Sequence, residues 1–543
     1  MRRLSPLAWN AAGILALTAL TWFEFPGHTW LQQDTQIYVA ILEHLRDPSV
    51  LRRDLLATRP HVSFTLYDET ARGFARLTGL GFREVLEGQQ FVTRALGIWG
   101  LFLMAGALGL SAPASLLVAG IVSLGATIAG PAVLSFEIEP DPRGFAVPLL
   151  FLAIGLAAHK RYFAAGTAAS VASLMHPPTV VPFWAVYVLL FAALWGRRLR
   201  LQGVSRPLAA FIPLSLACIL LAISAHFQQG ASERQVFFSR ISPAVENLQR
   251  LRAPYSWISE WWRDGLPYYC VLYAVSVLAY TRLRKTATRN LRLFLIGLPL
   301  LGILSVPFSY VFLEKLNWVL LPQLQPMRAL LFLVVVVQFS AAAAAILAAN
   351  SRRYVEAFAW FVLAYLIPQG ADANLYAAVL LAAGASLAAW AGACKFRWSA
   401  PALLSVAMAG FLLLPILGGV TPHPRLHTPD LAQLSVWARA STPVDAVFLF
   451  ADAGKQLQPG IFRSEALRAV YVDWKGGGQI NYLPDLGVEW WNRWQQTMAA
   501  PFDPRGFARY RPLGIDYIVL TPRNRLPGRA PVFENAAYLV YAS

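Results

Sequence analysis

The chain has 543 residues, of which 57% are hydrophobic and 14% charged, with a formal net charge of +17. A single soluble core stops growing near ~250–300 residues, so this much apolar surface excludes an ordinary globular protein and points to lipid as the solvent. The positive excess sits in short loops between apolar runs, beside the headgroup layer, which speaks for a membrane surface and against nucleic acid as a partner.

In chain order, the apolar runs predict thirteen membrane spans, near 8–23, 88–109, 113–135, 144–158, 162–175, 178–195, 207–226, 266–282, 292–312, 327–349, 354–368, 374–394 and 400–420. Each is long enough, or nearly so, to cross ~30 Å of hydrocarbon. The first run, Trp9 to Phe23, follows Arg2 and Arg3. Glu24-Phe25-Pro26 comes next rather than a small-residue cleavage site, so the run reads as a span and not as a signal peptide.

Alternate loops carry Lys160-Arg161, Arg197 to Arg200, Arg282 to Lys285, Arg352-Arg353, and Lys395 with Arg397. Lys and Arg this close to span ends mark the cytoplasmic side. The expected localisation is therefore a bacterial inner membrane, with the N-terminus cytoplasmic and the C-terminal domain periplasmic or extracellular. The outer segments are then 24–87, 136–143, 227–265, 313–326 and everything after Val420. Within them, 34–46 and 65–79 have the pattern of amphipathic helices at the interface, and Trp257, Trp261 and Trp262 that of headgroup anchors.

The tail after Val420 changes character. Leu431 to Arg439 has helical spacing, and Val488 to Met498 is an amphipathic helix with three tryptophans. Ala446 to Phe450, Ala469 to Val472, Ile515 to Leu520 and Ala537 to Tyr541 read as strands. The expected fold class is a polytopic α-helical membrane protein of about 13 transmembrane helices with a C-terminal soluble α/β domain, divided at 1–420 and 421–543. Cys218, Cys270 and Cys394 fall in or beside apolar runs without CxxC spacing, so they indicate neither disulfides nor zinc.

Candidate chemistry gathers in the outer segments. Asp34 opens the first interfacial helix, where a helix N-terminus stabilises a carboxylate. It can act as a general base on an acceptor hydroxyl, or simply cap the helix. Glu137, Glu139 and Asp141 alternate between prolines, and alternate residues of an extended chain point the same way. Three such carboxylates would suit Mg²⁺ or Mn²⁺; the plainer alternative is an acidic turn paired with Arg143. His176 ends the fifth span on the same side, and Arg328 opens the tenth. Either can meet a phosphate, the arginine through a bidentate fork. Lys475 stands beside the glycine turn Gly476-Gly477-Gly478. No Walker motif, GxSxG elbow, HExxH or strand-borne GxGxxG is present in the sequence.

This arrangement resembles the GT-C superfamily of membrane glycosyltransferases. The residues that carry the likeness are Asp34 in Asp34-Thr35-Gln36-Ile37-Tyr38, the acidic group Glu137 to Asp141 followed by Pro142-Arg143, and the plan of spans followed by an outer domain. The plan looks most like the aminoarabinose and protein-mannosyl transferase branch and its bacterial relatives, although Thr35 stands where an Asp-Glu pair would place Glu. The resemblance implies a polyprenyl-phosphate-linked sugar donor and catalysis at the outer face. Asp34 would then be the base, with Arg328, His176, Lys475 and Arg143 binding substrate and Glu137, Glu139 and Asp141 holding a metal. The expected partners are the lipid-linked donor and membrane lipids. The alternatives are a transporter or flippase of a lipid-linked substrate, and a non-catalytic envelope assembly component. A coupled carrier usually buries ionisable residues at mid-depth, whereas these spans are nearly free of them.

Overall fold

The computed structural model describes residues 6–59, 65–195, 205–228, 237–367 and 426–543. The spans expected at 374–394 and 400–420, and the basic residues Arg197 to Arg200, Lys395 and Arg397, lie outside them. The chain divides into two compact units. One holds Met1–His28, Glu87–Ile223 and Tyr255–Val420; the other holds Thr29–Leu86, Ser224–Pro254 and Thr421–Ser543.

The first unit is helical. Its helices are Pro6–Phe23, Phe82–Gly106, Ala112–Ser123, Pro142–Ala158, Tyr162–Met175, Pro177–Trp195, Phe211–Gln228, Trp262–Leu283, Arg289–Ser309, Leu330–Asn350 and Tyr354–Leu366, the second and seventh of these also extending past the unit's bounds. Among the described residues, five helical segments are long and apolar enough to cross a bilayer. The apolar window of one, Leu320–Asn350, is 94% buried, whereas those of Pro177–Leu194 and Arg206–Gln228 are only 28% and 22% buried. An apolar helix that protein leaves uncovered needs an apolar solvent, so the multi-pass membrane character follows from burial as well as composition.

Leu330–Asn350 is the centre of this unit. It packs against Ala112–Ser123, Trp262–Leu283, Arg289–Ser309 and Tyr354–Leu366. Gln338, midway along it, is buried and donates to the Ile121 carbonyl at 3.1 Å. Phe82–Gly106 and Pro142–Ala158 touch backbone to backbone. A Cβ on Gly100 would stand 2.2 Å from Leu152 N, and one on Gly155 would stand 2.5 Å from Gly100 O. Small residues allow such close approach where no hydrophobic force drives helices together.

The span expected at 113–135 is not continuous. Its helix stops at Ser123, at ~18 Å long too short for the hydrocarbon core. The chain then turns into an antiparallel hairpin of β1 (Thr127–Ile128) and β2 (Val133–Leu134). Gly125 and Gly130 adopt φ of +79° and +76°, which breaks the apolar run. The Trp261 ring lies against Gly130, where a Cβ would come within 2.6 Å of it. Trp257 is fully buried, so of the three tryptophans expected as headgroup anchors only Trp262 is well exposed.

The second unit joins helices Thr35–Arg46 and Tyr67–Thr78 with a five-stranded sheet. The strands are β3 (Val447–Phe450), β4 (Ala469–Val470), β5 (Tyr517–Leu520), β6 (Phe533–Glu534) and β7 (Leu539–Ala542), in the order β4-β3-β5-β7-β6. β3 runs parallel to β4 and β5, whereas β7 is antiparallel to β5 and β6. Helices Pro429–Ser441, Gln458–Ala466 and Pro484–Met498 accompany it. Thr428 starts the first by accepting from Leu431 N, an ordinary N-cap. The interior strand β3 is buried on both faces: Val447 and Leu449 belong to one apolar cluster and Phe448 and Phe450 to another. That accounts for its continuous apolar sequence rather than an alternating one.

Candidate functional site

In the first unit, the chain from Gly125 to Gly144 is held by side chain to backbone bonds. Arg94, buried in Phe82–Gly106, donates to the carbonyls of Thr21, Gly27 and Glu137 at 2.7, 3.0 and 2.9 Å. Gln90 donates to the same Glu137 carbonyl at 2.9 Å. Asp141 caps Pro142–Ala158 by accepting from Gly144 N. Nothing in the sequence marked Arg94, because its partners are carbonyls and carry no residue signature.

The expected convergence of Glu137, Glu139 and Asp141 on a metal ion is not what the chain adopts. Arg143 sits between two of them, with Nε 2.7 Å from Glu137 Oε1 and Nη2 3.2 Å from Asp141 Oδ2. The cation that follows the acidic run is its counter-ion, and the Asp141 cap takes further lone pairs. Among the described residues, no three His, Cys, Asp or Glu side chains gather as a metal-holding group.

Arg143, His176 and Arg328 do come together. They line one cavity of about 340 Å³ with otherwise mostly apolar walls. The walls are Val181, Pro182 and Ala185 of Pro177–Trp195, Leu301, Leu304 and Phe308 of Arg289–Ser309, and Leu331 and Phe332 of Leu330–Asn350. Val181, Leu304 and Phe308 are themselves exposed, so the groove opens on an uncovered apolar surface. His176 follows the last turn of Tyr162–Met175, and its Nδ1 is 2.8 Å from Thr179 Oγ1. Arg328 lies in the 3₁₀ turn Pro326–Ala329 after Gln325, whose φ is +47°. Its guanidinium stacks on Tyr255 at 4.7 Å, and Nε donates to Pro131 O at 3.4 Å. Among the described residues, no carboxylate or carbonyl takes its terminal amino groups. An arginine fork beside apolar walls is suited to a phosphate joined to a hydrocarbon chain.

In the second unit, Asp34 precedes Thr35–Arg46 but makes no capping hydrogen bond with its side chain. Its carboxylate meets Lys475 Nζ at 2.6 Å instead. Lys475 opens the turn Lys475–Asn481 that follows β4. The adjoining Asp473 faces the other way and shares Arg463 with Asp54 in a buried trio. Asp34 is thus a half-exposed carboxylate that pairs with Lys475. Sequence analysis named Asp34 and Lys475 separately; that they form a pair needed the fold.

A family described as "Domain of unknown function (DUF6798)" matches residues 429–497, the stretch that contains Arg463, Asp473 and Lys475. No curated protein matches the chain. Among solved structures, the chain is similar to the crystal structure of ArnT from Cupriavidus metallidurans in the apo state. The match spans 98% of this chain and 97% of that one, at 14% identity and a TM-score of 0.46.

Proposed function

We propose that the chain is a glycosyltransferase that moves a sugar from a polyprenyl-phosphate-linked donor to an acceptor hydroxyl at the outer face of the inner membrane. The observation that carries this reading is the groove of the first unit, where an arginine fork and a histidine meet an apolar cavity that opens on uncovered apolar surface. A polyprenyl chain would enter through the exposed Leu304 and Phe308, and its phosphate would be taken by Arg328 with His176. Arg143 contributes less charge, since Glu137 and Asp141 already engage it.

Asp34 is the proposed base. It takes the proton of the acceptor hydroxyl as the oxygen bonds to the anomeric carbon. The bond from that carbon to the phosphate oxygen breaks, and its electron pair leaves with the lipid phosphate. No metal step is part of this scheme.

The test uses membranes containing wild type, Asp34→Asn or Arg328→Gln, incubated with a panel of radiolabelled polyprenyl phospho-sugars, with and without EDTA. Release of sugar from one donor by wild type and not by Asp34→Asn supports the reading. If no donor turns over and all variants restore a deletion strain equally, the reading fails in favour of a carrier or scaffold.

A further inference from the structure

Trp261, expected from the sequence as a headgroup anchor, is built into the groove of the first unit instead. Arg328 rests on two supports. The Pro131 carbonyl is 3.4 Å from its Nε, and the Tyr255 ring lies 4.7 Å from its guanidinium. Trp261 reaches both. Its Nε1 donates to the Tyr255 carbonyl at 3.2 Å, and its ring lies against Gly130, next to Pro131. Tyr269, in the helix Trp262–Leu283, meets the Trp261 ring edge to face at 6.3 Å. The Tyr269 hydroxyl donates to the Ala129 carbonyl at 2.6 Å, on the other side of Gly130.

The hairpin turn needs such holds. β1 and β2 make a sheet of two strands of two residues each, and an isolated two-stranded hairpin is marginal at best. Inside the turn, Gly130 has φ of +76° and Ala132 has φ of +53°. A left-handed alanine is strained and persists only where its surroundings determine it. Gln325, three residues before Arg328, is left-handed too, at φ of +47°. Both chain segments that meet at the contact between Arg328 and Pro131 therefore contain a strained residue. Tyr269 is fully buried, and it places its hydroxyl on the turn at the point where the ladder ends.

We propose that Tyr269 and Trp261 are positioning residues for the donor phosphate: they fix the turn and the ring that aim Arg328 into the groove. The Pro131 carbonyl engages Nε, so the guanidinium presents its terminal amino groups as a fork to two phosphate oxygens. Without the Tyr269 hydroxyl the turn is free to relax, and the fork loses its direction while the apolar walls keep their shape. The inference rests on the groove taking a lipid phosphate, as the transferase reading has it, but the aim of Arg328 can be measured without turnover.

The experiment uses the full chain in an uncharged maltoside detergent. Radiolabelled farnesyl phosphate is displaced with unlabelled farnesyl phosphate or with farnesol, and the ratio of the two affinities is the phosphate preference. Wild type should prefer the phosphate about tenfold or more, and Arg328→Gln should lose most of that preference. Tyr269→Phe removes one hydroxyl and leaves the ring. It should lower the preference about three- to tenfold, the scale of one neutral hydrogen bond, with farnesol affinity unchanged. Trp261→Phe should act in the same direction, and the neighbouring Tyr268→Phe should change nothing. In the Arg328→Gln background Tyr269→Phe should have no further effect, because the two residues act through one contact. With turnover as the readout, Tyr269→Phe should raise the KM for donor by a similar factor and leave kcat unchanged.

Unchanged preference in both Tyr269→Phe and Trp261→Phe overturns the proposal. A Tyr269→Phe loss that adds in full to that of Arg328→Gln, or that falls equally on farnesol, overturns it as well by marking Tyr269 as purely structural. A wild type without phosphate preference removes both this proposal and the groove as a donor site. Coupled losses in binding while no donor turns over leave the positioning role standing and sink the transferase reading. Asp34-dependent turnover with a wild-type KM in Tyr269→Phe does the reverse.

Discussion

Asp54 and Arg463 meet at 2.8 Å although 409 positions separate them in the chain. The bonded oxygen of Asp54 also accepts from Val470 N at 2.9 Å, and its other oxygen accepts from Leu56 N and Ala57 N. Arg463 Nη2 goes to Asp473. The trio therefore ties the first outer segment, the helix Gln458–Ala466 and the end of β4 into one body inside the second unit.

Removing Arg463 leaves two buried carboxylates without their cation. Arg463→Met should destabilise the protein by ~3–5 kcal/mol, the range for a broken buried pair. Asp473→Ala should cost less, because it leaves Arg463 balanced by Asp54. Thermal unfolding of the full chain in detergent checks this. A loss near that of an exposed ion pair, ~0–1 kcal/mol, would show that the trio does not hold the unit together.

The Asp34–Lys475 pair is different in kind, because Asp34 is 40% exposed. Asp34→Asn should leave thermal stability within ~1 kcal/mol of wild type while lowering sugar transfer by ~10²–10⁴-fold, the usual contribution of a general base. Parallel measurements of melting and donor turnover separate the two effects. A variant that loses stability and activity together would mark Asp34 as structural.

Helices were legible wherever an apolar run and a charged boundary coincided. Pro142–Ala158 and Tyr162–Met175 fall where the runs at 144–158 and 162–175 place them. The run at 113–135 misleads because hydropathy averages over Gly125 and Gly130-Pro131, which turn the chain into a hairpin. The site was legible as residue types in loops. Arg328 was visible because an arginine at membrane depth needs a partner, and His176 because it ends a span on the outer side. The acidic run suggested a metal until Arg143 closed on it. Arg94, and the Asp54–Arg463–Asp473 trio as an assembly, had no local signal, since their partners are carbonyls or lie far along the chain.

Arg328 and Arg143 line the same groove with different electrostatic standing. Arg143 is held by Glu137 and Asp141, whereas Arg328 has only the Pro131 carbonyl and the Tyr255 ring among the described residues. Arg328→Gln should raise the KM for donor by ~10–100-fold, as for a lost hydrogen bond to a charged group. Arg143→Gln should act chiefly on stability, by leaving two buried carboxylates without their cation. Donor kinetics and melting of the two variants check the contrast; a larger KM effect at Arg143 would reverse the assignment of the phosphate.

His427 supplies a pH dependence whose sign can be fixed in advance. Its Nδ1 is 3.3 Å from Glu465 Oε1, and its Nε2 is 2.6 Å from the Trp30 carbonyl. The hydrogen bond to Glu465 raises its pKa above the ordinary 6.5, against the opposing effect of burial, and the Trp30 carbonyl adds to the rise. A protonated imidazole donates through both nitrogens, whereas the neutral ring can donate through only one. The folded state therefore binds the proton more tightly than the unfolded chain. The stabilisation is complete below the unfolded pKa and is lost as pH rises through the folded one. Melting temperatures of wild type and His427→Asn, taken from about pH 6 to about pH 9, should differ most at the acidic end and converge at the basic end. A gap that stays constant, or widens with pH, would mean that the imidazole serves the second unit as a neutral spacer and that Glu465 does not draw a proton to it.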